Sequence, residues 1–203
     1  FKNEADLLID FTLPAGTLAA AQWCACNGVA LLTGTTGLSE EDKQALKQAA
    51  VDVPVLWAPN LSFGVALVSR LVQQAAGVLG KSADVHIAET HHHHKVDAPS
   101  GTALDLAATV MEGRGERLEN ILEPGQLENL SEGEEGELTF SSVREGEVIG
   151  EHTVSFRLAD EVIEISHKAL DRDVFAKGAL KAGEWLVRQP AGYYSTSDWL
   201  DLS

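Results

Sequence analysis

LLIDFTLPAGTLAAAQWCACNGVALLTGTTG, from Leu7 to Gly37, sets two short apolar runs on either side of a helical pattern. Leu7 to Phe11 and Val29 to Thr33 are too short to be buried helices and read as buried strands, as does Pro54 to Ala58 further along. The stretch between the first two, from about Pro14 to Cys26, is spaced for a helix, with Thr12 near its N-cap and Pro14 in its first turn. A second helix, from about Glu40 to Ala50, has Ser39 as N-cap, and Glu40, Glu41 and Asp42 suit the positive end of its dipole. Strands alternating with helices of this length build βαβ units and a parallel sheet. Ligands of such sheets lie beyond the carboxyl ends of the strands, where Gly34-Thr35-Thr36-Gly37 and Ala58-Pro59-Asn60-Leu61 fall.

The chain of 203 residues is long enough for one large or two small domains. Fifteen Lys and Arg stand against 31 Asp and Glu, a net charge of −16 that opposes a phosphate backbone or an anionic membrane surface, so neither nucleic acid nor membrane is expected as a partner. Apolar runs such as Val29 to Leu32 are far shorter than the roughly 18 residues of a membrane span. Cys24 and Cys26 lie two apart within a helical pattern, too close for an ordinary bridge, and are expected as reduced core thiols of a cytoplasmic protein. Residue 1 is Phe1 and the only methionine is Met111, so translation is expected to start upstream.

Past Gly64 the pattern changes to a long helix, about Val65 to Leu79, a strand from Asp84 to Ala88, a polar loop, and a helix opening near Thr102. Between Glu112 and Glu151 twelve Glu face three Arg among several glycines, which reads as solvated loop. Leu138 to Arg144, Val148 to Arg157 and Glu161 to Lys168 alternate as strands, turned at Glu145-Gly146 and Ala159-Asp160, and are expected to form an antiparallel meander. A last helix, about Val174 to Arg188, precedes a tail with Pro190 and Gly192.

Chemistry concentrates in Glu89-Thr90-His91-His92-His93-His94-Lys95-Val96-Asp97-Ala98-Pro99-Ser100-Gly101-Thr102-Ala103, which follows a strand and ends at a helix start. The N–H groups there and the positive end of the dipole suit a carboxylate or phosphate. Lys95 adds a charge, and an imidazole gives a proton near neutral pH. Other readings stay open: a polar surface loop, or a metal site in which His91 with His93, or His92 with His94, share a face. No cysteine or acidic cluster evidently completes such a metal set, and an internal run is not a purification tag. His86, His152 and His167 lie in strand-like alternation and read as structural residues.

This fifteen-residue string resembles the signature of the 4-hydroxy-tetrahydrodipicolinate (dihydrodipicolinate) reductase family, Glu-x-His-His-x-x-Lys-x-Asp-Ala-Pro-Ser-Gly-Thr-Ala. Ile9-Asp10-Phe11-Thr12, Gly34-Thr35-Thr36-Gly37, Ala58-Pro59-Asn60, Val148-Ile149-Gly150-Glu151-His152-Thr153, Phe175-Ala176-x-Gly178-Ala179 and Asp198-Trp199-Leu200 fit as well. The resemblance implies a reductase of the diaminopimelate route to lysine, moving hydride from NADH or NADPH to a cyclic, unsaturated dicarboxylate. It implies His91 as general acid helped by Lys95, and His92, Lys95, Ser100, Gly101 and Thr102 as the substrate clamp. Thr12, Gly34, Thr35, Thr36, Ala58, Asn60 and Leu61 correspond to positions along the nicotinamide and ribose, and no metal is implied. His93 falls at a variable position of the motif. Leu13 stands where some members carry an arginine, which leaves NADH against NADPH open.

The expected fold is α/β: a Rossmann-like parallel sheet with an inserted mixed α/β substrate and oligomerisation domain. The resemblance implies an opening strand and a Gly-x-x-Gly-x-Met-Gly phosphate loop, which are expected upstream of Phe1. Residues 1–62 with 173–203 are expected as the dinucleotide-binding domain and 63–172 as the insert. The resemblance also implies a homotetramer, with Val154, Phe156, Ile163 and Ile165 supplying the apolar subunit face. Two rivals are a non-catalytic anion-binding remnant and a metal-dependent hydrolase.

Overall fold

The computed structural model describes residues 5–116 and 136–200. Much of the acidic segment expected as loop lies outside them. The chain divides into two compact units, Phe1–Ala66 with Asp173–Ser203, and Leu67–Arg172. The division is thus a few residues past the expected 62 and falls inside a helix.

In the first unit β1 (Leu7–Asp10), β2 (Ala30–Thr33), β3 (Pro54–Trp57) and β8 (Gly192–Tyr194) form a parallel sheet in the order β1-β2-β3-β8. The helices are α1 (Pro14–Asn27), α2 (Glu40–Ala49), α5 (Asp173–Leu186) and α6 (Thr196–Trp199). The strands are continuous apolar runs because both faces are covered. Val29, Leu31 and Val55 pack with Cys24 and Leu46, whereas Ala30, Leu32 and Leu56 pack with Ala179, Ala182 and Leu186.

Thr12 lies next to the N-cap of α1, Leu13, which makes no side-chain cap, and its hydroxyl donates to Asp10 Oδ1 at 2.6 Å. Two local expectations change. Cys24 is buried, but Cys26, near the end of the same helix, is exposed. The tail holds β8 and α6, elements too short for periodicity to reveal. Ser39 does cap α2, accepting from Asp42 N at 3.1 Å, and Gly28, at φ 69°, closes α1 in the left-handed region. Gly178 marks a tight approach of α5, since a Cβ there would sit 1.7 Å from the Leu61 carbonyl oxygen.

The second unit carries most of α3 (Phe63–Leu79), then β4 (Asp84–His91), α4 (Gly101–Gly113), β5 (Leu138–Arg144), β6 (Gly150–Arg157) and β7 (Val162–Ala169). The sheet order is β5-β4-β6-β7. The expected meander is therefore corrected: β6 and β7 pair antiparallel, but β4 inserts between β5 and β6, parallel to β5 and antiparallel to β6. Alternation shows which residues share a face, not which strand lies alongside.

Val85, Ile87, Val154 and Phe156 pack against Val68, Val72, Ala76, Leu106 and Val110 of α3 and α4. Val154 and Phe156 thus belong to the unit's own core, not to an open subunit face. The segment Phe63–Ser82, with a mean hydropathy of 1.3, is long and apolar enough to cross a membrane by length and composition, longer than the apolar runs the sequence suggested. Polar residues between apolar ones hid it. In the fold, its Val68, Val72 and Ala76 are buried in the core just described.

Candidate active site

Along β4 the odd residues face inward. Val85 and Ile87 fill the core, and the same face then presents Glu89 and His91, 2% and 7% exposed. The register brings neighbours to them: His152 of β6 stands opposite Glu89, and Ser142 and Arg144 of β5 lie beside Glu89 and His91. β4 therefore runs to His91, three residues beyond the expected Ala88.

The two oxygens of Glu89 have different partners. Oε1 accepts from Ser100 N and Arg144 Nη2, each at 3.0 Å. Oε2 faces His91 Nδ1 at 3.1 Å and His152 Nε2 at 3.8 Å. The two imidazoles meet edge to face with centroids 5.0 Å apart, and His152 Nε2 lies 3.2 Å from Ser100 Oγ. Gly150 leaves room for this cluster, because a Cβ there would be 3.1 Å from His91 Nε2.

Burial alone would raise the Glu89 carboxyl, but hydrogen bonds from Ser100, Ser142 and Arg144 outweigh it and hold the group below the usual range. Burial pushes His91 down, opposed by Glu89 and reinforced by Lys95 and Arg144. Burial, with His91 beside it, pulls His152 down to about 4. The cluster is an ionised carboxylate between two imidazoles of unequal basicity. Its ligand atoms lie within 4.8 Å of one another, so among the described residues Glu89 and His152, rather than the rest of the histidine run, stand with His91 as a group that could hold a metal ion.

From His91 the chain runs through the loop 92–99 into α4. Arg144 holds this loop, donating from Nε to Lys95 O at 3.3 Å as well as to Glu89. Lys95 Nζ pairs with Asp97 at 2.8 Å and stays partly exposed. His93, which the motif leaves variable, has a structural use: its Nε2 accepts from Gly146 N at 2.9 Å and ties the loop to the β5–β6 turn. His92 and His94 are a tilted pair with centroids 6.2 Å apart. Ser100 caps α4 by accepting from Ala103 N at 3.2 Å, which sets Gly101 and Thr102 in the first turn. His91, Lys95 and the start of α4 therefore lie in one unit.

In the first unit, Thr12, residues 34–37 and residues 58–61 follow the carboxyl ends of three adjacent parallel strands. Asp10, 3% exposed, organises them. Its carboxylate accepts from the hydroxyls of Thr12 and Thr17 at 2.6 Å, Thr33 at 2.8 Å and Thr35 at 3.2 Å. The Thr35 hydroxyl is thereby engaged, its carbonyl accepts from Trp57 Nε1 at 2.9 Å, and its side chain is buried. Ala58 and Leu61 are buried too, and Asn60 Oδ1 accepts from Ser62 N at 2.9 Å. Thr12 and Thr36 are exposed, and a Cβ at Gly37 would meet nothing within 4 Å. These loops offer an open ledge of backbone and hydroxyl groups, which fits the sugar and nicotinamide portion of a dinucleotide.

A family model described as dihydrodipicolinate reductase, N-terminus, matches residues 1–61, and one described as dihydrodipicolinate reductase, C-terminus, matches residues 64–200. The chain belongs to the dihydrodipicolinate reductase family. The 4-hydroxy-tetrahydrodipicolinate reductase of Psychrobacter arcticus is 44% identical over 201 residues, covering 99% of this chain and 72% of the relative. A dipicolinate-bound dihydrodipicolinate reductase from Paenisporosarcina sp. TG-14 superimposes with a TM-score of 0.73 at 26% identity, over 94% of this chain and 71% of that one. An amine dehydrogenase from Mycobacterium smegmatis shares the fold, with a TM-score of 0.59 at 10% identity, over 95% of this chain and 75% of that one.

Within this reductase family member, sequence reading missed Glu89, Arg144, His152 and Asp10 as site residues. Glu89 heads the family string, but a carboxylate two residues before a histidine run carries no signal of its own. His152 was read as structural, and its place opposite Glu89 depends on a strand pairing between distant segments. Asp10 had a local signal: a lone carboxylate at the end of an apolar run, followed by threonines.

Proposed function

We propose that this chain reduces 4-hydroxy-tetrahydrodipicolinate to tetrahydrodipicolinate with hydride from NADH or NADPH, in the diaminopimelate route to lysine. The observation that carries the reading is the convergence of His91, Lys95 and the Ser100–Gly101–Thr102 helix start in one unit of a family fold. Hydride addition leaves negative charge on the ring that a proton must quench. His91 gives that proton and Lys95 assists by its charge. His92, Lys95, Ser100, Gly101 and Thr102 hold the two carboxylates, the last three by the N–H groups and dipole at the start of α4. The dipicolinate bound to the Paenisporosarcina relative supports a small dicarboxylate as ligand.

Thr12, Gly34, Thr36 and Asn60 would hold the nicotinamide and ribose, while Thr35, Ala58 and Leu61 shape the ledge from beneath. When bound, the cofactor supplies the hydride. Residues 1–62 with 173–203 serve the cofactor and 63–172 the substrate. The protein acts in the cytoplasm, in keeping with its two unpaired thiols, and as a homotetramer. β7 is a sheet edge with Val162 and Ile163 exposed on it, a place for subunits to meet.

The test is oxidation of NADH and of NADPH by the full chain, supplied with substrate made by the preceding synthase. Turnover that disappears in His91→Ala is expected. Absence of turnover with either cofactor, from a folded protein, overturns the proposal, and sedimentation velocity checks the tetramer.

A further inference from the structure

We propose that Glu89, His91 and His152 form a binding site for a zinc-class divalent cation, and that an ion held there stops the reductase by taking His91 out of use as an acid. The inhibition, though not the binding, rests on the reductase reading above.

The three side chains reach one place from two strands. Glu89 and His91 stand two apart on the inward face of β4, and the β4–β6 register sets His152 opposite Glu89. All three side chains are more than nine-tenths buried, at 0%, 9% and 5% exposure. Glu89 Oε2 lies 3.1 Å from His91 Nδ1 and 3.8 Å from His152 Nε2, and one ligand atom from each residue falls within 4.8 Å of the other two. Around a tetrahedral zinc, with bonds of about 2.0 to 2.2 Å, neighbouring ligand atoms are about 3.3 Å apart. The two edges at Glu89 bracket that spacing, and the third closes by a turn of the imidazoles.

The unmade hydrogen bonds point to a ligand. Glu89 Oε2 and His91 Nδ1 are buried and, close as they are, neither has a hydrogen-bond partner among the described residues. A buried polar atom left so costs free energy, and two side by side are satisfied at once by a cation between them. Glu89 is oriented for this from behind: Oε1 accepts from Ser100 N and Arg144 Nη2, each at 3.0 Å, which leaves Oε2 for the ion. On His152 the ion takes the place of the Ser100 hydroxyl, 3.2 Å from Nε2, and that hydroxyl keeps its bond from Ala103 N. Arg144 already balances the Glu89 charge, so the fourth position on the ion suits an anion.

Two imidazoles and one carboxylate are a donor set for zinc, whereas magnesium and calcium take oxygen ligands. Bound through Nδ1, the His91 ring keeps only the Nε2 hydrogen of a neutral imidazole, a far weaker acid than an imidazolium. The ion is thus an inhibitor of the reaction and not its cofactor.

The test uses the full chain, stripped with a chelator, and Zn²⁺ and Co²⁺ as probes. Calorimetric titration should show one ion per chain, and Co²⁺ should give the visible absorption of a four-coordinate site. Mg²⁺ should give neither. NAD(P)H oxidation should fall over the same range of Zn²⁺ and return with EDTA. His152→Gln removes a ligand and should weaken binding and inhibition by about 100-fold or more, read against the variant's own metal-free rate. His94→Gln, on the exposed loop, should leave both unchanged.

No bound ion, an affinity that His152→Gln leaves alone, or one that His94→Gln abolishes overturns the site. Zinc bound with turnover untouched overturns the inhibition. If His152→Gln does not fold, the anomalous signal of zinc in crystals of the wild type decides. A peak between Glu89, His91 and His152 is expected, and one on His92 and His94 alone overturns the proposal. Wild type that binds zinc but never oxidises NAD(P)H overturns the reductase reading and leaves the site standing.

Discussion

Asp10 and Glu89 are both carboxylates, almost wholly buried, near the carboxyl end of a strand, and both are held below their usual pKa range. Their partners differ in kind. Asp10 gathers four threonine hydroxyls and the Thr12 N–H, all neutral donors. Glu89 also has neutral partners, Ser100 and Ser142, but adds an arginine and has two imidazoles beside it. Neutral hydroxyls satisfy a buried charge and fix the shape of loops without moving a proton. Imidazoles lie close to it while remaining able to titrate. The first arrangement is architectural and the second chemical, although strand position and burial are nearly the same.

The sharpest way to break this contrast is to remove the group that titrates beside Glu89. His91→Ala should lower kcat by on the order of 10²- to 10⁴-fold, the usual worth of a general acid, with circular dichroism and unfolding midpoint little changed. An equally large loss of kcat in Asp10→Asn, with its pH dependence altered, would erase the distinction.

His152 gives the next largest effect, read as stability. Its folded-state pKa is depressed from 6.5 to about 4, so its contribution is present above pH 6.5 and is lost as pH falls from there towards 4. The interval corresponds to about 3 kcal/mol. Urea unfolding of wild type and His152→Gln across that window should show the wild type losing more by about this amount. Parallel slopes would mean that His152 is hydrated rather than buried against His91.

Asp10→Ala should cost about 2 to 3 kcal/mol in the same assay, because it strands hydroxyls that now share one acceptor. With a depressed folded-state pKa, the Asp10 contribution is present above the ordinary aspartate range and is lost as pH falls below it. It should leave the alkaline fall of kcat untouched. A shift of that limb would mean that Asp10, too, acts on the proton.

These two regions were legible in the sequence to different depths. The parallel sheet could be read from Leu7, Val29 and Pro54 onward because doubly covered strands are unbroken apolar runs, and the helix at Glu40 because Ser39 and its acids announce a cap. The signature residues from Glu89 to Thr102 could be quoted before any geometry was known. What stayed hidden depends on pairing between distant segments: β4 set between β5 and β6, His152 brought opposite Glu89, and Val154 with Phe156 turned to the core. β8 stayed hidden for another reason, since its three residues are too few to show a period. Thr12 could be placed beside the start of α1, but what its hydroxyl does there could not be read. Asp10 lies two residues away and takes that hydroxyl first.

The smallest effects separate neighbours in one loop. Thr35 is buried, and its hydroxyl donates to Asp10 and to Thr12 O, each at 3.2 Å, whereas Thr36 is exposed. The structure therefore assigns opposite consequences to the same deletion. Thr35→Ala removes hydrogen bonds inside the Asp10 set and should lower unfolding free energy by about 1 kcal/mol, changing KM for NAD(P)H only through a loosened loop. Thr36→Ala removes nothing that holds the fold and should leave the unfolding midpoint in place. Its cost should appear in the KM for cofactor, about threefold to tenfold for one hydrogen bond. If Thr35→Ala raised that KM without touching stability, the Asp10 hydroxyls would be part of the binding surface after all, and the architectural half of the comparison would fail.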